Sequence, residues 1–179
     1  MEPTEPPFLA QQLHDQNQQV NYWPAAMSNL TEMNEPLIAH IAHMEKIGAA
    51  TAHDYYRMRG WVVHHNSDLW AQTNPVGAGT RGSEIGQLGG AGQAQHLDDQ
   101  YCFTGDKAYL QLMRGAADFS LDWLTEQHGQ LLIAPSTSLE NLYLHPSAFQ
   151  ASVTIESAMD MEIIWDLFTN LIEVSKIIK

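Results

Sequence analysis

The chain has 179 residues, of which 44% are hydrophobic and 16% are charged, and this is enough sequence for one domain with its own core. Asp and Glu outnumber Lys and Arg by 21 to 8, which gives a net charge of -13. A surface this acidic repels phosphate groups, which argues against nucleic acid and anionic membranes as partners. The single cysteine, Cys102, excludes an intramolecular disulfide and a cysteine-rich zinc site.

The N-terminal half is predicted to be a polar lead-in followed by helices. Residues 1–20 are rich in Gln and begin with three Pro in seven positions, which indicates an extended segment. Apolar residues at helical spacing predict a helix over 31–48, and a second helix follows over about 49–58. Residues 60–81 show neither helical nor strand periodicity and are predicted to be irregular.

The C-terminal half is also predicted to be mainly helical. A helix of small residues is expected over 83–103, and after a turn at 104–106 another helix runs to about residue 128. Residues 131–133 form the one strand-like run, and the last helix begins at about residue 157. The predicted fold class is therefore all-α.

The two ends of the sequence carry expectations about what surrounds it. The last helix stays apolar up to Lys179 without a stop signal, which is typical of a chain that continues. The N-terminus lacks the basic and apolar regions of a secretory signal peptide, and no apolar run reaches the about 18 residues that would span a bilayer. The compartment is left open.

Residues 77–82 read GAGTRG and match the glycine pattern of dinucleotide-binding turns. That pattern binds pyrophosphate only between a strand and a helix of a βαβ unit, and no parallel-sheet periodicity surrounds it here. Seven of the twelve glycines fall within residues 77–92. A flexible loop is therefore the better interpretation, and no nucleotide cofactor is predicted.

Residues 60–70 concentrate aromatic and polar side chains in one irregular segment. Trp61, His64, His65 and Asn66 combine aromatic faces with imidazole and amide groups, a combination that suits a sugar ring and its hydroxyls. Neighbouring residues of an extended chain point to opposite sides, so His64 and His65 are poorly placed to share a metal ion, and no metal site is predicted. A buried loop whose polar groups satisfy the backbone is the equal alternative.

Two further segments contain groups that could take part in acid–base chemistry. Glu140 lies in the polar loop PSTSLEN at residues 135–141, where burial would raise its pKa and make it a general acid. Asp15 and Asn17 precede the sequence NYWP at residues 21–24, and polar groups of this kind line a pocket or cap a helix. Taken alone, a solvated glutamate is the more common state of such a residue.

Together these segments resemble the catalytic domain of the family-95 glycoside hydrolases, the α-L-fucosidase family. The resemblance covers about residues 17–179 and follows the family's order and spacing. It rests on NYWPA (21–25), NLTEMNEPL (29–37), RGWVVHHNSDLW (59–70), TGD (104–106), PSTSLEN (135–141) and MDMEII (159–164).

The resemblance implies a fold and a reaction. The family has an (α/α)6 barrel, so residues 21–179 are expected to form a partial set of its helices with long irregular loops. The implied reaction is inverting hydrolysis of terminal α-linked L-fucose from a fucosylated oligosaccharide or glycan, without a metal or other cofactor. Family members are often exported from the cell.

The resemblance also assigns roles to individual residues. Glu140 matches the family's general acid, and Asn17 matches the second of two amides that position the attacking water. Asp15 stands where the family has the first amide. His65 and Asn66 match the sugar pocket, to which the aromatic and imidazole groups of Trp61 and His64 are added as candidate substrate contacts.

Three departures from the family pattern leave it open whether this chain is an enzyme by itself. The family's downstream catalytic aspartate is expected beyond Lys179. Residues 86–92 read GQLGGAG where the family has a tryptophan-rich stretch, and residues 97–101 read LDDQY instead of LWEHY. The alternatives are a non-catalytic sugar-binding or structural helical fragment, and a chain that self-associates or is completed by a missing C-terminal segment.

Overall fold

The computed structural model describes residues 12–13, 16–75, 88–137 and 142–177, and these residues are mostly helical. A 3₁₀ turn at Thr31–Asn34 leads into the second helix, and a π-helical turn at Ala52–Tyr56 continues it. The described residues form five α-helices: α1 (Gln16–Met27), α2 (Glu35–Thr51), α3 (Gly89–Thr104), α4 (Ala108–Trp123) and α5 (Ala158–Ile177). The all-α prediction is confirmed. None of these helices combines the length and apolarity needed to cross a membrane.

Short antiparallel strand pairs fill the connections between the helices. The pairs are β1 (Gln12–Leu13) with β2 (Asn66–Ser67), β3 (Leu124–Gln127) with β4 (Gln130–Ile133), β5 (Ser136–Thr137) with β8 (Val153–Thr154), and β6 (Tyr143–Leu144) with β7 (Gln150–Ala151). The strand-like run at 131–133 is therefore confirmed as part of β4. Helix α4, in contrast, ends at Trp123 and not near residue 128, because Leu124 is already extended and begins a tight hairpin.

Helix α1 begins at Gln16, inside the segment that the sequence assigns to the polar lead-in. Its amphipathic pattern is weak, and Pro24 lies within it, so neither periodicity nor a stop signal marks the helix. Tyr22 and Ala26, one turn apart, nevertheless pack toward the interior. The predicted helix over 83–103 appears as α3, but it begins at Gly89, because Leu88 is its non-helical N-cap. The glycine-rich residues 77–82 lie outside the described residues.

Helices α1 and α3 lie side by side and run in the same direction. The Gln93 side chain of α3 donates a hydrogen bond to Gln18, in the first turn of α1. One turn further along α3, the ring of His96 stacks on Trp23. Beyond the end of α1, Gln100 donates to the backbone of the following 3₁₀ turn. Contacts that advance along both helices together require a parallel arrangement.

Helix α5 continues the same layer on the other side of α3. The Gln95 side chain of α3 donates to Asp166 of α5, and one turn later Asp98 interacts electrostatically with Glu173. Trp123, at the end of α4, donates to the Pro135 carbonyl oxygen, next to the strand that is hydrogen-bonded to the first turn of α5. Helix α5 therefore begins where α4 ends and runs parallel to α3. Helices α2 and α4 contact each other and cover α3 from outside. Alternate helices thus form two layers, as in part of an α/α toroid.

Trp61 is the centre of the core, and glycines on two helices make room for it. Its side chain is 1% exposed, and its indole N–H donates to the Leu112 carbonyl oxygen at 2.9 Å. A Cβ at Gly90 would lie 2.9 Å from the indole ring, and a Cβ at Gly115 would lie 2.6 Å from it. The small residues of α3 and α4 therefore allow an irregular segment to pass between the helices.

Gly92 is the one place where a larger side chain should improve α3. A Cβ there would meet only the Gln19 side-chain nitrogen, at 3.1 Å, and that amide is the end of a flexible side chain. We expect Gly92→Ala to raise the free energy of unfolding by about 0.5 to 1 kcal/mol, because Ala is the better helix former. Gly48→Ala is the matched control. Its Cβ would lie 2.5 Å from the Val62 carbonyl oxygen, so it should destabilise the protein in the same urea titration.

The α3–α5 contact concentrates negative charge. Burial, and after it the neighbouring carboxylates Asp99, Asp166 and Glu173, raise the pKa of Asp98. The folded state therefore holds this proton more tightly than the unfolded state does, and stability falls as the pH rises from the unfolded value of about 3.9 through the raised folded value. At neutral pH the ionised Asp98 is a destabilising group.

We expect Asp98→Asn to raise the melting temperature at pH 7 and to lose this advantage as the pH falls toward about 4. Because the side chain is only partly buried and is screened by solvent, the gain should be about 0.5 kcal/mol, or roughly 1 to 2 °C for a chain of this size. Glu126→Gln removes one charge from the exposed β3–β4 hairpin and serves as the control. An equal rise in both variants would attribute the effect to net charge alone.

Candidate functional site

The segment that carries the predicted sugar contacts is fixed at its start by an ion pair. The Arg59 guanidinium contacts both carboxylate oxygens of Asp122 on α4, with distances of 2.6 Å from Nη2 and 3.0 Å from Nε. The backbone N–H of Arg59 donates to the same carboxylate. These hydrogen bonds lower the pKa of Asp122 and raise that of Arg59. The chain therefore enters the core at a defined point.

The side chain of His64 is fully buried in the core. Its Nδ1 lies 2.6 Å from the Thr73 carbonyl oxygen, which can only accept, so Nδ1 carries the proton. The Tyr56 hydroxyl then donates to Nε2, also at 2.6 Å. Burial lowers the pKa of His64 and raises that of Tyr56 to about 12, so both groups stay neutral at physiological pH.

For Trp61 and His64 this geometry favours the alternative of a buried loop. The Trp61 ring is enclosed by the core, and both ring nitrogens of His64 are occupied by protein atoms. Neither side chain presents a free face to a sugar in this structure, and His64 has no nitrogen left for a metal ion. Their contribution is to hold the residues that follow, His65 and Asn66.

The structure brings the His65–Asn66 segment next to strand β1, which precedes Asp15 and Asn17 in the sequence. Strand β1 pairs with β2 so that Leu13 lies opposite Asn66. The chain then enters α1, whose first turn contains Asn17. Asp15 and the Asn17 side chain lie outside the described residues. His65 is 6% exposed, and Asn66 is partly buried.

The first turn of α3 joins this group. Gly89 packs so closely under the segment that a Cβ would lie 2.7 Å from the Val63 carbonyl oxygen and 3.2 Å from that of His64. Near it, Gln93 hydrogen-bonds Gln18 of α1 at 3.3 Å. The beginnings of α1 and α3 and the segment around His65 thus meet at one end of the helix layer.

Strand β5, which precedes the predicted general acid in the sequence, lies at the same end of the helix layer. Strand β5 precedes the first turn of α5, to which it is hydrogen-bonded, and α5 is parallel to α1 and α3. Glu140 follows Thr137 by three residues and lies outside the described residues. The structure therefore places the strand that precedes Glu140.

A row of buried polar side chains on α3 was not identified from the sequence. Gln93, His96 and Gln100 lie along one face of this helix, toward α1 and the 3₁₀ turn. Asn34 donates to Gln100 at 3.3 Å, and burial lowers the pKa of His96 to about 4. The spacing of three and four positions between these polar residues could have indicated a shared helix face. The Gly and Ala residues around them gave no apolar stripe against which that face would stand out. Within the described ranges, no three His, Cys, Asp or Glu side chains cluster as a metal site requires.

Comparison with known proteins gives two results for this chain. Residues 2–179 match the sequence profile of the glycosyl hydrolase family 95 catalytic domain. A curated protein of Arabidopsis thaliana, alpha-L-fucosidase 2, is 36% identical over 171 residues, which cover 90% of this chain and 20% of that protein. The chain therefore spans about a fifth of the length of this relative.

Proposed function

Because the chain belongs to glycosyl hydrolase family 95 and matches its catalytic domain, we propose that it is part of an inverting α-L-fucosidase. The proposed substrate is a terminal α-linked L-fucose on an oligosaccharide or glycan. The observation that carries this proposal is the family match over residues 2–179, and the name of the Arabidopsis relative supports the choice of sugar. The meeting of α1, α3 and the His65 segment at one end of the helix layer supports the position of the site.

Glu140 is the proposed general acid. In its neutral form it donates a proton to the glycosidic oxygen as the bond from that oxygen to the anomeric carbon breaks. The leaving oligosaccharide departs as a neutral alcohol, and Glu140 becomes a carboxylate. Water attacks the anomeric carbon from the opposite face, so the released sugar is β-L-fucose.

Asn17 is proposed to orient the attacking water. An amide has negligible basicity, so a carboxylate must accept the proton that the water loses. The family's aspartate for this step is expected beyond Lys179, and Asp15 is a second candidate because it places a carboxylate where the family has an amide. If Asp15 is the base, Asp15→Asn should abolish turnover, and unchanged turnover would exclude it.

His65 and Asn66 are proposed to bind the sugar hydroxyls. Imidazole and amide groups both donate and accept hydrogen bonds, which suits a ring with several hydroxyls. Trp61 and His64 lie beneath them in the core and hold the segment in place. Their proposed effect on the substrate is therefore indirect.

Two other roles are supported by specific observations. A non-catalytic sugar-binding fragment is supported by the glycines at 86–92, where the family has large aromatic residues. Self-association, or completion by a C-terminal segment, is supported by α5, where Trp165 and Ile172 are 69% and 56% exposed two turns apart. Light scattering over a range of concentrations separates a monomer from a self-associating chain.

The proposed reaction is tested with an aryl α-L-fucoside and a 2'-fucosylated oligosaccharide. We expect ¹H NMR during turnover to show β-L-fucose before mutarotation produces the α anomer. Initial release of α-L-fucose would contradict an inverting mechanism. Binding of L-fucose without turnover would favour the sugar-binding fragment.

A further inference from the structure

Asp160 is a buried carboxylate in the first turn of α5, and among the residues that the structure describes no cation lies beside it. Its side chain is 4% exposed, and no ion pair in the described part of the chain includes it. Burying a charged group without a counter-ion is unfavourable unless hydrogen bonds compensate. Burial accordingly raises the pKa of Asp160, while its hydrogen bonds to Ser136, Thr137 and Ser157 oppose that rise.

Two of the hydrogen-bond partners of Asp160, Ser136 and Thr137, form strand β5. The Ser136 hydroxyl donates to the carboxylate at 2.6 Å, and the backbone of Thr137 also hydrogen-bonds it. The backbone N–H of Ser157 donates to Ser136 Oγ at 2.8 Å, and the Ser157 hydroxyl donates to the Thr137 carbonyl oxygen at 3.3 Å. Both residues of β5 are thus joined to the start of α5 through the carboxylate and a neighbouring serine.

Strand β5 is directly followed by the loop that contains Glu140. Glu140 is three positions after Thr137 in the sequence, and three steps of extended chain span at most about 10 Å. Fixing β5 therefore limits where Glu140 can reach. The β5–β8 pairing holds the strand from its other side, at Thr154 and Val153.

We propose that Asp160 is a positioning residue for the general acid, acting by anchoring β5 so that the Glu140 loop starts from one defined place. This inference rests on the proposed function, since it concerns the delivery of the proton by Glu140. Asp160 itself does not touch the substrate. Its carboxylate accepts hydrogen bonds from the Ser136 hydroxyl and the Thr137 backbone. An Asn side chain has one acceptor oxygen fewer, and an Ala side chain has none, so neither variant can satisfy both donors equally well.

The first test is amide hydrogen exchange of this chain with Asp160→Asn and Asp160→Ala. We expect faster exchange at residues 136–141 in both variants, with the larger effect in Asp160→Ala, and little change in α3 and α4. Asp166→Asn is the matched control, because Asp166 lies on the same helix and accepts hydrogen bonds from Gln95 and Asn170 and not from β5. Unchanged exchange at 136–141 in the Asp160 variants would overturn the proposal, as would faster exchange throughout the chain.

The second test compares leaving groups. Fluoride leaves with little help from an acid, whereas the alcohol of an oligosaccharide needs a proton. We expect Asp160→Asn to lower kcat for a 2'-fucosylated oligosaccharide by about 10- to 100-fold and to change kcat for α-L-fucosyl fluoride much less, with KM little changed. Equal losses for both substrates would mean a general structural role and would overturn the proposal.

Glu140→Gln separates this proposal from the proposed function. If Glu140→Gln shows the loss that depends on the leaving group and Asp160→Asn does not, the function stands and the positioning role fails. If Glu140→Gln leaves both substrates unaffected, the proposed acid role itself fails. In that case, faster exchange at 136–141 in the Asp160 variants would still show that Asp160 stabilises β5. It would not show a catalytic purpose, and the proposal would be overturned together with the proposed acid role.

Discussion

Replacing Glu140 with Gln is expected to lower kcat for a fucosylated oligosaccharide by about 10²- to 10⁴-fold, the usual contribution of a general acid. Gln is almost the same size, so the loop and the binding of sugar should be retained. The amide cannot release a proton to the glycosidic oxygen, and the leaving alcohol would have to depart as an alkoxide. KM should therefore change much less than kcat.

The dependence on pH gives the same prediction a second measurement. An enzyme that needs a protonated Glu140 loses activity on the alkaline side of its profile as this carboxyl ionises. In Glu140→Gln the remaining activity should no longer fall on that side. Glu126→Gln, on the exposed β3–β4 hairpin, is the control for removing one negative charge. Full activity of Glu140→Gln toward the oligosaccharide would exclude Glu140 as the acid.

Replacing Gly60 with Ala is expected to have the largest effect on stability, with a loss of about 3 kcal/mol or more. Two separate physical reasons add at this position. Gly60 has a φ of +67°, which L-residues adopt with strain. A Cβ would also lie 1.9 Å from the Gly115 carbonyl oxygen, so the backbone before Trp61 and helix α4 would have to separate.

Gly105→Ala isolates the conformational part of this effect. Gly105 has nearly the same φ, +71°, but no atom lies within 4 Å of the position its Cβ would occupy. This variant should lose only about 1 kcal/mol. Urea titrations of both variants measure the difference, which reports the crowding between Gly60 and α4. Equal losses in the two variants would show that the close approach at Trp61 does not contribute.

The helices with a strong apolar face could be predicted from the sequence, and α1 could not. Helices α2, α4 and α5 repeat apolar residues at three- and four-residue spacing, which reflects the one buried side that each presents to the core. Helix α1 buries few side chains and contains Pro24, so its contacts with α3 decide its structure. Such contacts depend on residues more than 70 positions away and leave no local pattern.

The burial of Trp61 and His64 shows a second limit of sequence reasoning. Their composition suited both a sugar site and a buried loop, and nothing in residues 60–70 distinguished the two. The structure favours the buried loop, because Gly90 and Gly115 make room for the indole ring and the Tyr56 hydroxyl donates a hydrogen bond to His64 Nε2. The role of Asp160 was hidden for the same reason, because its partner Ser136 lies 24 residues earlier.

An NMR titration shows whether the beginnings of α1 and α3 and the His65 segment form the proposed sugar-binding end of this chain. Backbone amide shifts are followed while L-fucose is added, with D-glucose as the control sugar. We predict that the largest changes with L-fucose occur at Asn17, His65 and Asn66 and in the residues after Thr137. Changes confined to the outer helices α2 and α4, or equal changes with D-glucose, would contradict the claim.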